Sequence, residues 1–237
     1  MTIHAGDFDR IVVLTGAGIS AESGLNTFRD NGGLWEGHHV EDVATPDAFT
    51  RSPELVYKFY NLRRKQLLTS AKPNIAHQAL ALFSRQFSGK FTLITQNVDD
   101  LHERGGSHDV LHMHGDLLSA RCIATQQVFK ADGDITSETR CPCCNENGNL
   151  RPNIVWFGEI PMHMTQIEAA LLACDLFVSI GTSGQVYPAA GFVRLAKHAG
   201  AATVELNLEP SDGYSCFDHA NYGPATDIVP QFFSLSQ

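Results

Sequence analysis

His114, in the run Val110-Leu-His-Met-His-Gly115, is the residue of this chain best suited to move a proton at neutral pH, because imidazole is the side chain that titrates there. Three segments distant from it in the sequence carry complementary chemistry. Gly16-Ala-Gly-Ile-Ser20 has the glycine spacing of a turn at which backbone approaches a pyrophosphate. Thr95-Gln-Asn-Val-Asp99 sets two amides and a carboxylate at the end of a short apolar run, and Gly181-Thr-Ser183 is a second glycine-containing strand exit. A histidine set among such segments reads as a base working beside a bound nucleotide, with NAD as the candidate. His112, two residues earlier on the same strand face, competes with His114 for that role.

The glycine pattern continues as G-x-G-x-x-A from Gly16 to Ala21 behind Val12-Val-Leu-Thr15. Taken alone it is equally an ordinary tight strand–helix turn. A hydride-transferring enzyme would also place an acid at the end of the next strand, about twenty residues on. That stretch is Asn31-Gly-Gly-Leu-Trp-Glu36, a loop. The residues therefore point to a nucleotide and away from ordinary dehydrogenation.

The positioning elements follow from apolar periodicity. Arg10 to Leu14, Phe91 to Thr95, Val110 to Met113, Ile154 to Phe157, Leu176 to Ile180 and Thr203 to Leu206 read as strands. Helices are expected at about Met164–Ala173 and Ala189–Ala199. Ser52-Pro53-Glu54 opens another, as a cap with proline at the first position, and Leu55, Phe59 and Leu62 are its stripe. Pro73-Asn74 opens a further helix with Ile75, Ala79, Leu82 and Phe83 as the apolar face. Such alternation predicts an α/β fold: a Rossmann-like parallel sheet with helices on both faces. A single domain over residues 1–237 is expected. Its large part spans about 1–31, 73–119 and 151–237. Insertions at about 32–72 and 120–150 form a small helical and cysteine-bearing, zinc ribbon-like module. The segment from Cys122 to Gly148 is too polar to hold a core of its own.

The composition narrows the class. The chain has 237 residues, a hydrophobic content of 43% and a formal net charge of -9. No apolar stretch approaches membrane-spanning length, and the N-terminus lacks a basic start and an apolar signal core, so a cytoplasmic protein is expected. The acidic balance argues against direct nucleic-acid binding, and a monomer is favoured. Six cysteines are present, three of them in Cys141-Pro-Cys-Cys144. Without an export signal, such clustering favours thiolate metal ligation over disulfides. Cys141 and Cys144 make one good pair and Cys122 a first ligand, but Thr125 stands where the partner of Cys122 is expected. Cys143 is the candidate fourth ligand of one structural zinc, at the cost of strain from its neighbour Cys144. An incomplete or metal-free site is the alternative.

Gly16-Ala-Gly-Ile-Ser20, Thr27-Phe-Arg-Asp30, Gln96-Asn-Val-Asp99, His112-Met-His-Gly115, Leu150-Arg-Pro152, Val155-Trp-Phe-Gly-Glu159, Gly181-Thr-Ser183 and Asn207-Leu-Glu209 together resemble, in order and over nearly the whole chain, the signature runs of the sirtuins. The likeness is to the short bacterial class III members, NAD-dependent protein deacylases. The resemblance implies that NAD is consumed, nicotinamide leaves, and the acyl group of an acyl-lysine protein ends on ADP-ribose. It implies His114 as general base. It puts Gly16, Ala17, Gly18 and Ile19 at the pyrophosphate, and Thr27, Phe28 and Arg29 in a cofactor loop closed by Trp35. Gln96, Asn97 and Asp99 then lie at nicotinamide and its ribose. Gly181, Thr182, Ser183, Asn207, Leu208, Glu209 and Ala225 lie at the adenosine end. Val155 and Phe157 lie along the substrate. Tyr60 and Arg63, three apart on a predicted helix and so on one face, match the pair that receives the distal carboxylate of succinyl- or malonyl-lysine. Without the resemblance, a solvated helix face beside Arg64 and Lys65 is the simpler reading. ADP-ribosyl transfer, NAD sensing without catalysis, and a zinc-ribbon interaction role are the competing functions.

Overall fold

Five residues of the first strand are buried, and they alternate between two cores. A computed structural model of the chain describes residues 3–25, 34–35 and 38–234. In β1 (Arg10–Thr15), Ile11 and Val13 enter one core and Val12 and Leu14 the other. This is the period-two geometry of a strand covered on both faces. A minimal ladder of β2 (Leu34–Trp35) and β3 (His38–His39) precedes the short helices α1 (Val40–Val43) and α2 (Pro46–Arg51). Two long helices follow, α3 (Pro53–Thr69) and α4 (Ile75–Gln86). Next come β4 (Lys90–Thr95), α5 (Leu101–Arg104), β5 (Leu111–His112), β6 (Gly115–Cys122), β7 (Val128–Lys130) and β8 (Leu150–Ile154). The described chain closes with α6 (Met164–Ala173), β9 (Leu176–Ile180), α7 (Phe192–His198), β10 (Ala202–Asn207), β11 (His219–Tyr222) and α8 (Ala225–Phe232).

Six strands make one parallel sheet in the order β11-β10-β9-β1-β4-β5. On one face α4 and α8 contribute Leu80, Phe83, Val229 and Phe232 to the core of Ile11, Val13 and Val178. On the other, α6 and α7 contribute Ile167, Leu171, Phe192 and Ala196 to that of Val12, Leu14 and Phe177. The expected α/β architecture is present, with helices on both faces. The chain leaves β1 toward β4 but leaves β9 toward β10, so the strand order reverses between β1 and β9. In open parallel sheets a crevice forms at the carboxyl ends of the strands at such a point.

A second, antiparallel sheet of order β7-β6-β8 carries the cysteine module. The expected strand from Ile154 to Phe157 is corrected here. The strand is β8, it ends at Ile154, and it pairs with β6 outside the parallel sheet. Its proline and arginine obscured it, and β6 was hidden because polar residues interrupt it. The module's core of Ala120, Cys122, Ile135, Cys141 and Leu150 borrows Tyr57 from α3. The expected helix after Gly16 is a 3-10 turn, Ala17–Ser23.

The two long helices open where expected but bury different faces. In α3 the buried residues are Val56, Tyr57, Phe59, Tyr60, Arg63, Arg64 and Leu67, while Leu62 is exposed; Ser52 makes no side-chain cap. In α4 they are Ala76, His77, Leu80, Ala81 and Phe83, while Ile75 and Leu82 are exposed. Reading only apolar residues mis-phased both helices, because tyrosine, arginine and histidine occupy much of the buried stripe. One α3 stripe is bolted to the cysteine module. The Tyr57 hydroxyl donates to the Leu150 carbonyl at 2.7 Å. Asn61 exchanges two hydrogen bonds with the backbone of Ile135, at 2.8 and 3.0 Å. Arg64 donates to the carbonyls of Leu117 and Gly133.

His77 closes a capping box with Asn74 at the start of α4, and its ring meets that of His102 edge-on at 5.0 Å. Both rings are buried. Burial pulls His77 down to about 4, opposed only in part by Glu103. Burial, then the neighbouring His77 and His112, holds His102 well below the ordinary histidine value. The unfolded chain protonates these rings near 6.5, whereas the folded chain resists until about 4 at His77. Their contribution is therefore complete above 6.5 and is lost as pH falls toward 4, by roughly 3 kcal/mol for a shift of this size. Urea titrations at about pH 7.5 and pH 5 should show a lower midpoint in acid. The His77→Gln protein should show a shallower decline; an unaltered pH slope in that variant would reject the assignment.

Candidate active site

Three glycines join the exits of β1 and β9. The Gly16 and Gly18 N–H groups donate to the carbonyls of Ile180 and Gly181, each at 2.9 Å. A Cβ at Gly16 or Gly18 would stand 2.7 Å from Gly181 backbone, and Gly181 itself takes a positive φ of 61°. The glycines therefore serve backbone-to-backbone approach first. Ala17, Gly18, Gly181, Thr182 and Ser183 are all half-buried, so the crevice presents main chain and small side chains. Such a floor fits a dinucleotide phosphate.

Behind it lies a buried polar knot. Asn97 Nδ2 donates to the Gly16 carbonyl at 3.1 Å and to Ser20 Oγ at 3.2 Å. Ser20 in turn donates to Asp99 Oδ2 at 3.1 Å, and Asp99 Oδ1 accepts the Leu101 N–H at 3.1 Å. Burial raises the Asp99 carboxyl, against these hydrogen bonds and the charge of His112. Asn97 thus satisfies strand-end backbone and is joined to Asp99 through Ser20. Thr15, Thr95 and His102 extend the knot through contacts of 2.9 Å.

The two candidate histidines separate by their partners. His112 has Glu103 Oε1 at 2.7 Å from Nε2 and the Asn97 carbonyl at 3.3 Å from Nδ1. Both partners are acceptors, so both ring nitrogens donate. Burial opposes the charge, but Glu103, the Asn97 carbonyl and Asp116 outweigh it and raise the His112 pKa. Both partners of His112 thus favour its protonated form. Among the described residues His114 has one partner of this kind, the Gln96 carbonyl at 3.1 Å from Nδ1. A carbonyl only accepts, so Nδ1 carries the proton and Nε2 the lone pair. Burial lowers the His114 pKa, against the Gln96 bond, and keeps the ring neutral. Gly115 follows with φ 80°, where a Cβ would overlap the Asn153 carbonyl oxygen. The turn that frees His114 from β5 therefore requires glycine.

The remaining expected residues have partners of their own. Val155 donates its N–H to the His114 carbonyl at 2.9 Å, and Phe157, half-exposed, donates to that of Ala44. Asn207 donates to the Thr182 carbonyl at 2.8 Å and holds Leu208 through its side-chain oxygen. Leu208 and Glu209 are exposed at the end of β10. Ala225 opens α8, whose next residue, Thr226, is tied to Glu22 by two hydrogen bonds. Tyr60 and Arg63 share the buried face of α3. Thr27, Phe28 and Arg29 lie outside the described residues, and Trp35 is described only as backbone in β2. Ser20, His77, His102 and Arg151 carry contacts that sequence reasoning assigned to no role. Ser20 and Arg151 stand inside recognised motifs, which was the available signal.

Four cysteines converge at the far end of β6. All sulfurs of Cys122, Cys141, Cys143 and Cys144 lie within 4.8 Å of one another, Cys122 and Cys144 being 3.9 Å apart. A tetrahedral zinc with bonds of about 2.3 Å separates its sulfurs by roughly 3.8 Å, so the set fits the ion. Cys143 joins the three expected ligands. Thr125 supports them instead of ligating: its N–H reaches Cys122 Sγ and its hydroxyl lies 3.1 Å from Cys143 Sγ. The Thr125 hydroxyl, with help from its N–H and the neighbouring thiols, draws Cys122 down to about 6, toward the thiolate that a metal takes.

Comparison with known proteins agrees with this geometry. A model of the Sir2 family matches residues 16–188. An NAD-dependent protein deacylase of Pasteurella multocida is 56% identical over 226 residues, covering 95% of this chain and 97% of the relative. One from Leishmania major is 59% identical over 224 residues, covering 93% and 92%. A solved complex of a Sir2 homologue with NAD superposes with a TM-score of 0.87 at 37% identity, covering 96% of this chain and 89% of that one.

The cysteine geometry predicts one zinc per chain by elemental analysis of untagged protein. Cys143→Ala should release the metal as readily as Cys144→Ala does. A Cys143→Ala protein with full zinc content would remove Cys143 from the ligand set.

Proposed function

The chain belongs to the Sir2 family, and from that premise we propose that it is an NAD-dependent protein-lysine deacylase preferring succinyl and malonyl groups while accepting acetyl. Its products are nicotinamide, O-acyl-ADP-ribose and free lysine. The observation that carries this reading is the Nδ1 bond of His114 to the Gln96 carbonyl, at 3.1 Å. It leaves Nε2 as a base among the strand ends that carry the glycine crevice and the Asp99 knot.

Bound NAD supplies an electrophilic ribose carbon with nicotinamide as its leaving group. Gly16, Ala17, Gly18 and Ile19 hold the pyrophosphate, and Gly181, Thr182, Ser183, Asn207, Leu208, Glu209 and Ala225 the adenosine end. Thr27, Phe28, Arg29 and Trp35, as the family resemblance assigns them, belong to the cofactor loop. Gln96, Asn97 and Asp99 position nicotinamide and its ribose. The Asn97 amide N–H groups are committed to Gly16 and Ser20, so Asn97 offers its side-chain oxygen. His114 takes a ribose hydroxyl proton at Nε2. Val155 and Phe157 line an extended acyl-lysine segment. On α3, Tyr60 supplies a hydroxyl and Arg63 a guanidinium to the distal carboxylate of the acyl group, the pairing best suited to an anion. That receptor favours the deacylase over ADP-ribosyl transfer, which gives it no task.

Mass spectrometry of matched succinyl- and acetyl-lysine peptides, with and without NAD, tests the reading. NAD-dependent loss of the acyl group with formation of O-acyl-ADP-ribose, absent in His114→Ala, is expected. NAD cleavage without deacylation would overturn it. Arg63→Met should lower kcat/KM for the succinyl peptide at least tenfold more than for the acetyl peptide, and equal losses would defeat the role given to Arg63. Because the His114 pKa is lowered, the base stays unprotonated further into acid than an ordinary histidine. The acid limb of kcat/KM should have its midpoint below 6.5, and a midpoint above that value in the pH–rate profile would contradict it.

A further inference from the structure

Tyr60 ends a series of contacts that begins at Glu159. The Glu159 carboxylate accepts Arg151 Nη1 at 2.6 Å, Arg151 Nη2 at 2.9 Å and the Trp156 backbone N–H at 2.8 Å. Arg121 adds a second cation at 3.8 Å. The Arg151 guanidinium lies over the Trp156 ring, 3.3 Å from its centroid, a stacking that Arg favours when desolvated. Phe49 packs on the same indole at 5.3 Å between ring centroids. From this setting Trp156 Nε1 donates to the Tyr60 hydroxyl at 3.0 Å. Trp156 and Tyr60 are both buried.

The last bond is directional in its chemistry. An indole N–H only donates, whereas a phenol hydroxyl offers one proton and acceptor lone pairs. The Trp156 bond therefore takes a lone pair of Tyr60 and turns the phenolic proton away from the indole. It also polarises the O–H, which strengthens it as a donor. Burial raises the Tyr60 pKa, more than Trp156 and Arg63 lower it, so the phenol keeps its proton at neutral pH. A carboxylate has acceptors only, and it is the acyl terminus that gains most from such a donor.

We propose that Trp156 is a positioning residue for acidic acyl groups: its N–H orients the Tyr60 hydroxyl, while Glu159 and Arg151 hold the indole in register. The inference rests on the reading that Tyr60 and Arg63 receive the distal carboxylate. An acetyl group has no such carboxylate, so the contact does not act on it. Trp156 acts through Tyr60 and touches no reacting atom.

Trp156→Phe isolates the N–H, because an aromatic ring remains beneath Arg151 and against Phe49. The expected result is a KM for a succinyl-lysine peptide raised about fivefold to tenfold, the size of one lost hydrogen bond between neutral groups. Its kcat and both constants for the matched acetyl peptide should move less than twofold. Equal shifts for the two peptides would assign Trp156 to packing and overturn the proposal, as would an unmoved succinyl KM. Tyr60→Phe removes the hydroxyl itself and should reproduce the same selective rise. The double variant should then be no worse than Tyr60→Phe alone; additive losses would overturn the coupling even if one single variant is poorly folded. Arg63→Met, measured alongside, separates the two levels of inference. If it lowers the succinyl-to-acetyl ratio and Trp156→Phe does not, the Trp156 proposal fails by itself. If neither changes the ratio, the carboxylate receptor fails with it.

Discussion

The approach of two strand exits with no side chain between them governs this molecule. Gly16 and Gly18 meet Gly181 so closely that a single added carbon on any of the three would strike backbone. The contact fixes the relative height of β1 and β9, and through the parallel register it fixes β4 and β10 on either side. Gly16 and Gly18, Gln96 and Asn97, Gly181 and Thr182, and Asn207 all stand at the ends of these four strands. The sheet supplies the stiffness: a one-residue slip of a strand would exchange its side chains between two cores that are packed differently.

Polar groups carried into that interior must find partners, and their pairing assigns their chemistry. Asn97, Ser20 and Asp99 form a directed series in which each donor meets an acceptor. His112 and His114 differ by two residues in sequence and by one acceptor in space. The additional carboxylate of Glu103 favours the protonated form of His112. Its absence from the surroundings of the His114 Nδ1 bond leaves His114 neutral, with a lone pair to use. The difference between the two imidazoles is thus made by the second nitrogen's partner.

Much of this was legible in the residues. β1, β4, β9 and β10 declare themselves by continuous apolar runs, and α6 by its length between two of them, so the parallel sheet and its layers follow. The antiparallel sheet was not legible, because β6 and β8 carry polar residues: Ser119 bonds Asp116 and Asn153, while Arg121 and Arg151 turn to Glu159. The buried faces of α3 and α4 were mis-phased for a related reason: their inward residues include Arg63, Arg64 and His77, which composition places outside. The motif residues of the site were readable as types. Their protonation states were not, since these depend on carbonyls and carboxylates brought from other elements. Cys143 stood as an open alternative because spacing alone does not reveal how a tight turn folds adjacent thiols toward one point.

Helix α3 serves two masters along adjacent stripes. Tyr57, Asn61 and Arg64 clasp the cysteine module, and about a quarter-turn away Tyr60 and Arg63 form a second buried stripe, the one proposed to receive the acyl group. For a protein engineer this removes rotation and sliding of the helix from the available moves, since either would tear three backbone-directed clasps at once. New acyl pockets must be cut by changing the tips of side chains on a helix that stays where it is. The same anchorage makes such edits transferable: a pocket built at these two positions inherits a rigid mount.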